Sequence, residues 1–253
     1  MLEGLDNIDW ASVEHRKGPA TDIPKLLRDL LSNEKKTQSS AIIELFRKIW
    51  HRGTVYEATS KVVPFLFEIL ENPSCCERFS VVWLLGVIAN GRSYHQEYNP
   101  EKKNEVEKEM IWVKDAHSAI LKGVKTVLGL LGEKDKDLRL PVVLLLASLP
   151  EEAAQITPIL SSMLSTEKNA ETRAGLGLAL ALMGEFHFEA FRSENTKLPL
   201  TLIETLAKAC FHDKGMRVSA LQMIEECLLA TVGQEDKDWI RNENILLGSI
   251  ILN

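Results

Sequence analysis

Apolar residues recur at every third or fourth position along most of the chain, the spacing that gathers them on one face of an α-helix. The segment 42–50 shows this period clearly. No segment alternates apolar and polar residues with a period of two, so we expect no β-strand. The pattern therefore predicts an all-α protein. The expected helices cover roughly 23–32, 36–50, 57–71, 76–89, 105–131, 136–148, 151–165, 169–183, 197–211, 214–230 and 236–252.

Two signals repeat along these helices at a nearly constant distance. A proline lies near the start of one apolar run, and a polar residue that opens a second run follows 14, 14, 15 and 18 positions later. The four pairs are Pro24 and Gln38, Pro64 and Arg78, Pro158 and Arg173, and Pro199 and Arg217. A fifth copy has Lys125 in place of the proline, 14 positions before Arg139. Five copies of one helix pair predict a stacked solenoid, because a single pair cannot bury its own apolar face.

The repeat predicts one elongated domain over residues 1–253. An N-terminal leader would occupy 1–22, the repeats 23–232, and a C-terminal capping helix 236–252. The step from Arg78 to Arg139 is 61 residues, against 40, 34 and 44 for the others, and the surplus includes an insertion at about 91–104.

Several residues are expected to mark helix ends. Asp22 suits an N-cap, Pro24 suits a first turn, and Gly53 suits a C-cap. Pro64 and Pro158 follow helix-compatible residues, so each predicts either a kink or a late helix start.

The repeated arginines are expected to be structural. A cation in the first turn of a helix opposes the helix dipole, so each arginine calls for an acidic partner. We expect a ladder of ion pairs between repeats, formed with nearby acids or with the acidic turn of the next repeat. The nearby candidates are Glu77, Asp135, Asp137, Glu171 and Asp213.

A proline in the first helix, an acidic turn and an arginine that opens the second helix resemble the HEAT-repeat family. The resemblance covers roughly 20–230 and departs from the family pattern at Gln38, at Lys125 and at the insertion. It implies a right-handed superhelix of about five α-α pairs. HEAT proteins differ widely in role, so the fold alone implies no function.

A narrower resemblance rests on three segments, Leu5-Asp6-Asn7-Ile8-Asp9-Trp10, Gly18-Pro19-Ala20-Thr21-Asp22-Ile23-Pro24 and Trp50-His51-Arg52-Gly53-Thr54-Val55-Tyr56-Glu57-Ala58-Thr59. They are similar to a bacterial subgroup of HEAT-like proteins, some of which are associated with polymorphic toxin systems as immunity-type proteins. This resemblance implies a protein that neutralises a toxin.

Charge and composition narrow the classes of partner. The net charge of −6 argues against nucleic-acid binding, which favours a basic face, and is compatible with simple solubility or with a basic protein partner. The four cysteines form no CxxC pair and predict buried thiols in a reducing compartment. No signal peptide and no apolar run of membrane-spanning length is present, so we expect a cytoplasmic protein without a membrane role.

Motifs for catalysis are missing from the sequence. It contains no GxSxG, GxGxxG or P-loop motif and no His-Glu pair at metal spacing, so we expect no cofactor, no metal and no enzymatic activity. The alternative is a HEAT-fold enzyme that acts on nucleic acid or a small ligand.

Two clusters are candidate partner-binding sites. The first comprises Trp50, His51, Arg52, Tyr56 and Glu57; its structural alternative is an inter-repeat turn in which Gly53 caps one helix and Thr54 and Glu57 form a capping box. The second lies in the insertion and comprises Tyr94, His95 and Tyr98, where exposed aromatics would mark a contact. Packing against the repeat edge is the alternative there.

The functional prediction is therefore a non-catalytic, protein-binding scaffold. It would act by steric occlusion and electrostatic complementarity, and its partner would be another protein, such as a basic toxin.

Overall fold

The computed structural model describes residues 2–133 and 135–183. These residues are mostly helical, which confirms the all-α expectation at that level. The chain divides into two compact units, residues 1–145 and residues from 146 onward. The predicted fifth repeat, with Arg217, Cys210 and Cys227, and the capping helix lie outside the described residues. No single helix among the described residues is long and apolar enough to cross a membrane.

The helices of the first unit begin and end close to the positions that the apolar period predicts. They are α1 (Ile23–Asp29), α2 (Lys35–Ile49), α3 (Glu57–Leu70), α4 (Arg78–Ala89), α5 (Tyr94–Tyr98), α6 (Lys103–Lys122) and α7 (Val124–Leu130). The next helix, α8 (Arg139–Ala147), includes the last residues of the first unit and the first two of the second. A short 3-10 helix, Leu5–Asn7, precedes them, and another, Lys136–Leu138, leads into α8. The second unit contains the 3-10 helix Pro150–Glu152, then α9 (Ala153–Thr166) and α10 (Ala170–Leu182).

Helix α3 is the centre of the first unit. Its apolar side chains are almost completely buried, and it packs against α1, α4 and α6. Val62, Val63, Leu66, Ile69 and Leu70 are each 0% exposed. Burial of one such side chain contributes about 2 kcal/mol, so this helix is a main source of stability in the unit.

The expected single helix over 105–131 is two helices. It is interrupted at Gly123, which separates α6 from α7. The ring of Phe67 lies against Gly123 so closely that a Cβ there would be 2.1 Å from the Phe67 Cζ atom. Only glycine permits this approach of α3 to the α6–α7 junction.

The expectation of no β-strands was wrong. Two antiparallel hairpins are present, β1 (Glu14–His15) with β2 (Gly18–Pro19), and β3 (Trp50–His51) with β4 (Thr54–Val55). Each strand has two residues, too short for an alternating pattern to be visible in the sequence. Helix α2 therefore ends at Ile49, and Gly53, expected as its C-cap, lies in the turn of the second hairpin.

The prolines occupy two kinds of position. Pro24 lies in the first turn of α1, as expected. Pro64 and Pro158 lie inside α3 and α9, with their side chains exposed, so the expectation of a late helix start was wrong. Asp22 stands at the N-cap position of α1, but its side chain makes no capping hydrogen bond.

The repeated polar residue holds the end of the preceding helix. Arg78 donates from Nε to the carbonyl oxygen of Leu70, at 2.9 Å, where α3 ends. Its guanidinium also forms a two-fold hydrogen bond with the Glu133 carboxylate, at 2.5 and 2.6 Å. The acidic partner therefore lies after α7, in the next repeat, whereas the neighbouring Glu77 contacts Ser39 and Ser80 instead.

Two further copies of this residue, Gln38 and Arg173, act in a similar way. Gln38 donates to the Ser32 carbonyl oxygen at 2.6 Å, and its own side-chain oxygen accepts from the Cys76 amide at 2.8 Å. In the second unit, Arg173 donates to the carbonyl oxygens of Leu164 and Glu167, at 3.4 and 3.2 Å. The glutamine that breaks the sequence pattern thus keeps the structural role, because an amide can both donate and accept.

Candidate functional site

The two candidate clusters of the sequence meet in space. Thr54 of β4 forms a parallel bridge with Arg92, which precedes α5. The Arg92 amide donates to the Gly53 carbonyl oxygen at 2.8 Å, and the Val55 amide donates to the Arg92 carbonyl oxygen at 3.3 Å. We call the two hairpins, the adjoining start of α3 and the α5 segment the hairpin surface; it comprises residues 14–19, 50–57 and 92–98.

The turn of the second hairpin places Arg52 at its tip. Arg52 has a φ of 50° and Gly53 a φ of 90°, the left-handed pair that a two-residue hairpin turn of this type requires. Asn, Asp or Gly is favoured at the first of these positions, because a longer side chain is disfavoured at positive φ. The Arg92 guanidinium covers Gly53, since a Cβ on that glycine would lie 2.6 Å from the Arg92 Nε atom.

Replacement of Arg52 by asparagine is expected to stabilise the protein slightly. Asparagine tolerates the left-handed conformation better, and strain of this kind costs about 1 kcal/mol, so we expect a gain of about 0.5 kcal/mol. Urea denaturation of Arg52→Asn and of the control Arg47→Asn, on the exposed side of α2, measures the difference. A loss of stability in Arg52→Asn would show that the arginine side chain relieves the strain.

The first hairpin is fastened beside the second. The Arg16 amide donates to the Lys48 carbonyl oxygen at 3.0 Å, at the end of α2, and the Glu14 amide donates to a Glu57 carboxylate oxygen at 3.2 Å. Glu57 therefore anchors this hairpin, and the expected capping box between Thr54 and Glu57 was wrong. Thr54 is committed to β4.

Asp22 forms a small charge network under the first hairpin. Its two carboxylate oxygens lie 3.0 Å from His15 Nε2 and 2.7 Å from Lys48 Nζ. Burial raises the pKa of Asp22, but the hydrogen bonds and charges of Lys48 and His15 outweigh it, so the net pKa is below its usual value. The carboxylate expected as a helix cap thus joins the hairpin to α2.

Trp50, the first residue of β3, and Tyr56, which follows β4, make mainly structural contacts. The Tyr56 amide donates to Thr59 Oγ1 at 2.9 Å, and that hydroxyl donates to the Ile49 carbonyl oxygen at 2.6 Å. Burial raises the pKa of Tyr56. Trp50 packs edge-on against Phe46, with ring centroids 6.3 Å apart. The ring contact of Trp50 is therefore with the protein itself.

Helix α5 is held by a buried carboxylate from α6. Glu109, only 7% exposed, accepts from Ser93 Oγ at 2.6 Å and from the His95 amide at 2.9 Å, and its second oxygen lies 2.7 Å from His95 Nδ1. Ser93 also caps α5 by accepting from the Gln96 amide at 3.0 Å. The sequence analysis missed both residues; the spacing Ser93-x-x-Gln96 is a helix-start signal that could have revealed the cap.

The pKa of Glu109 reflects this environment. Burial raises this pKa. The hydrogen bonds from Ser93 and from the amide and ring of His95 together lower it by more, so the net pKa lies below the usual value. His95 is thus a positioning residue that turns toward the protein rather than toward a partner.

The outer face of α5 carries two exposed tyrosines. Tyr94 and Tyr98 are 45% and 54% exposed, and their ring centroids are 5.1 Å apart. On the same helix, Glu97 pairs with Arg92 at 2.8 Å and so joins α5 to the covered Gly53. About half of each tyrosine side chain is therefore accessible to a partner.

Cations lie at the tips of both hairpins. Arg16, Lys17 and Arg52 have exposed side chains, and none of the three makes an ion pair in the part of the chain that the structure describes. Burial lowers the pKa of His51, and the charges of Arg16 and Arg52 lower it further, so His51 is neutral at pH 7. The sequence analysis missed Arg16 and Lys17, although both tips share the dipeptide His-Arg.

Within residues 2–133 and 135–183, no group of three or more His, Cys, Asp or Glu side chains is arranged to hold a metal ion. Comparisons of the chain with models of known protein families, with curated proteins and with solved structures each gave no match.

Proposed function

We propose that this protein is a non-catalytic, protein-binding module built as a HEAT-like α-α solenoid. The support for the solenoid is the constant phase of the repeat, together with the shared role of Gln38, Arg78 and Arg173 at the ends of the preceding helices. In this architecture, successive helix pairs present their connecting segments along one edge. Binding at that edge would need no chemistry beyond surface complementarity.

The observation that carries the proposal is the pair of exposed tyrosines on a firmly held support. Helix α5 has only five residues, too few for independent stability, yet it is fixed by Glu109 and Arg92. Exposed tyrosines on a rigid element are typical of binding hot spots, because little conformational entropy is lost when a partner covers them.

A toxin-neutralising role is the specific form of this proposal. It rests on the resemblance of segments 5–10, 18–24 and 50–59 to immunity-type HEAT-like proteins. Residues 18–19 and 50–55 contribute strands to the two hairpins. The expectation of a basic partner rests on the whole-chain charge of −6 and stays a prediction. The expected cytoplasmic location, which rests on the sequence showing no signal peptide or membrane-length apolar run, stays a prediction as well.

The experiment removes the tyrosine pair. Full-length protein and the double variant Tyr94→Ala/Tyr98→Ala are used to capture proteins from a lysate of the source organism, and each captured protein is purified and titrated against both. We expect the variant to bind its specific partner about 30-fold more weakly, the effect of losing one hot spot of about 2 kcal/mol.

A matched control separates this effect from a general loss of apolar surface. Ile111 on α6 is 59% exposed, and Ile111→Ala is expected to leave binding unchanged. The proposal fails if every purified partner binds the tyrosine variant as tightly as the unmodified protein while the variant's far-ultraviolet circular dichroism is unchanged.

A further inference from the structure

The hairpin surface carries a charge opposite to that of the whole chain. Two of its three acidic side chains, Glu57 and Glu97, already have partners. Glu57 accepts from the Glu14 amide, and Glu97 is paired with Arg92. Asp22, which lies under the first hairpin, is bound by His15 and Lys48. The cations at the tips, Arg16, Lys17 and Arg52, have no such partners among the described residues.

The backbone presents these cations in fixed positions. Arg16 is held through its amide on the end of α2, and Arg52 occupies a left-handed turn position that disfavours its side chain. Strained conformations of this kind are concentrated at functional sites. Both arginines adjoin the end of α2, Arg16 through its amide on the Lys48 carbonyl oxygen and Arg52 in the hairpin that follows this helix, so they form one cluster rather than two separate charges.

We infer that the cluster of Arg16, Lys17 and Arg52 receives an acidic segment of the protein partner, with Asp or Glu carboxylates at the hairpin tips. This inference rests on the proposed function and names the chemistry of its partner. Arginine pairs well with carboxylates because its planar donors match their two oxygens. The Tyr94 and Tyr98 rings then cover apolar or aliphatic parts of the same segment.

A protein segment fits this cluster better than a nucleic acid. A nucleic-acid site neutralises many phosphates, whereas this cluster holds three cations and the chain as a whole carries −6.

The test measures fluorescence anisotropy with labelled ten-residue peptides and the full chain at low salt. A glutamate-rich peptide is compared with glutamine-rich and lysine-rich peptides of the same length, and with a single-stranded oligonucleotide of equal charge. We expect only the glutamate-rich peptide to bind well. The variant Arg16→Ala/Arg52→Ala should weaken its binding about 10-fold, the loss of two partly exposed charge pairs.

The control Lys35→Ala/Lys36→Ala removes the same charge from exposed residues at the start of α2, and we expect it to change the affinity less than about 2-fold. The inference is overturned if the glutamate-rich peptide does not bind, if the lysine-rich peptide or the oligonucleotide binds more tightly, or if both double variants weaken binding equally.

A second measurement separates this inference from the proposed function. A partner identified through the tyrosine pair is titrated against Arg16→Ala/Arg52→Ala. An unchanged affinity would overturn the inference and leave the proposed function standing. If no partner depends on the tyrosines, the proposed function fails, and this inference fails with it.

Discussion

Replacement of Arg78 by alanine is expected to lower the free energy of unfolding by about 3 kcal/mol, the lower end of the cost of breaking a buried ion pair. Arg78 is only 8% exposed and serves two helices at once. Its loss leaves the Leu70 carbonyl oxygen without this donor and the Glu133 carboxylate without its two-fold partner. In the variant, water can hydrate the Glu133 carboxylate because its side chain is 35% exposed. We therefore do not expect a larger loss of stability. Urea denaturation followed by circular dichroism measures the change.

Two further variants divide the contribution of Arg78. Glu133→Gln removes only the ion pair and should cost about 1 kcal/mol, because the arginine keeps its bond to Leu70. Arg78→Lys keeps the charge but not the planar two-fold geometry, and its cost should fall between the other two. If Glu133→Gln proves as destabilising as Arg78→Ala, the carbonyl bond at the end of α3 contributes little.

Replacement of Glu109 by alanine is expected to release α5 and to cost about 2 kcal/mol, the penalty for buried donors left without an acceptor. The Ser93 hydroxyl and the His95 amide both lose their bond to the carboxylate. Hydrogen exchange of the amides of residues 93–98 measures the release. We expect these amides to lose protection while those of α3 keep it, since the apolar side chains of α3 are buried in the core.

The pH dependence of α5 follows from the same carboxylate. The folded pKa of Glu109 lies below its usual value of 4.5, so its contribution is fully present above pH 4.5 and is lost as the pH falls through the folded pKa. Protection of residues 93–98 should therefore decline on the acid side of 4.5. Glu109→Gln keeps the shape of the side chain and should weaken this acid transition.

An alternative outcome would contradict the role assigned to Glu109. If Glu109→Ala leaves exchange at residues 93–98 unchanged, the contacts of Arg92 with Gly53 and Glu97 hold the segment without it. Because the tyrosines are carried by α5, Glu109→Ala should also weaken binding of a tyrosine-dependent partner, whereas the exposed Glu105→Ala on the same helix should not.

Local patterns predicted the helices well. The ends of α2, α3, α4 and α9 lie within about two residues of the predicted positions, because each of these helices presents its own apolar period. Arg78 was recognised as structural, and one of its expected partner types, the acidic turn of the next repeat, was confirmed by Glu133. The choice between that turn and the adjacent Glu77 depended on three-dimensional distance, which sequence spacing does not contain.

The candidate site was predicted only in part. Tyr94, Tyr98 and Arg52 were identified and are exposed. Trp50 and His95 were also identified, but their contacts are with the protein itself. Glu109 was missed because it lies far along the chain from the residues that it holds. Glu109 becomes buried and accepts hydrogen bonds from the α5 segment only when α6 packs against that segment.

The sequence alone determined the helical periodicity, the repeat phase and the place where that phase is interrupted, because all of these are written in neighbouring residues. The tertiary structure decided that the two hairpins form, that Gly53 lies under Arg92, and that residues 50–57 and 92–98 share one surface. The last two of these features depend on backbone hydrogen bonds and close approaches between segments about 40 residues apart, and such contacts are set by packing of the helices rather than by local preference. The hairpins are local, but their two-residue strands are too short to show an alternating pattern in the sequence.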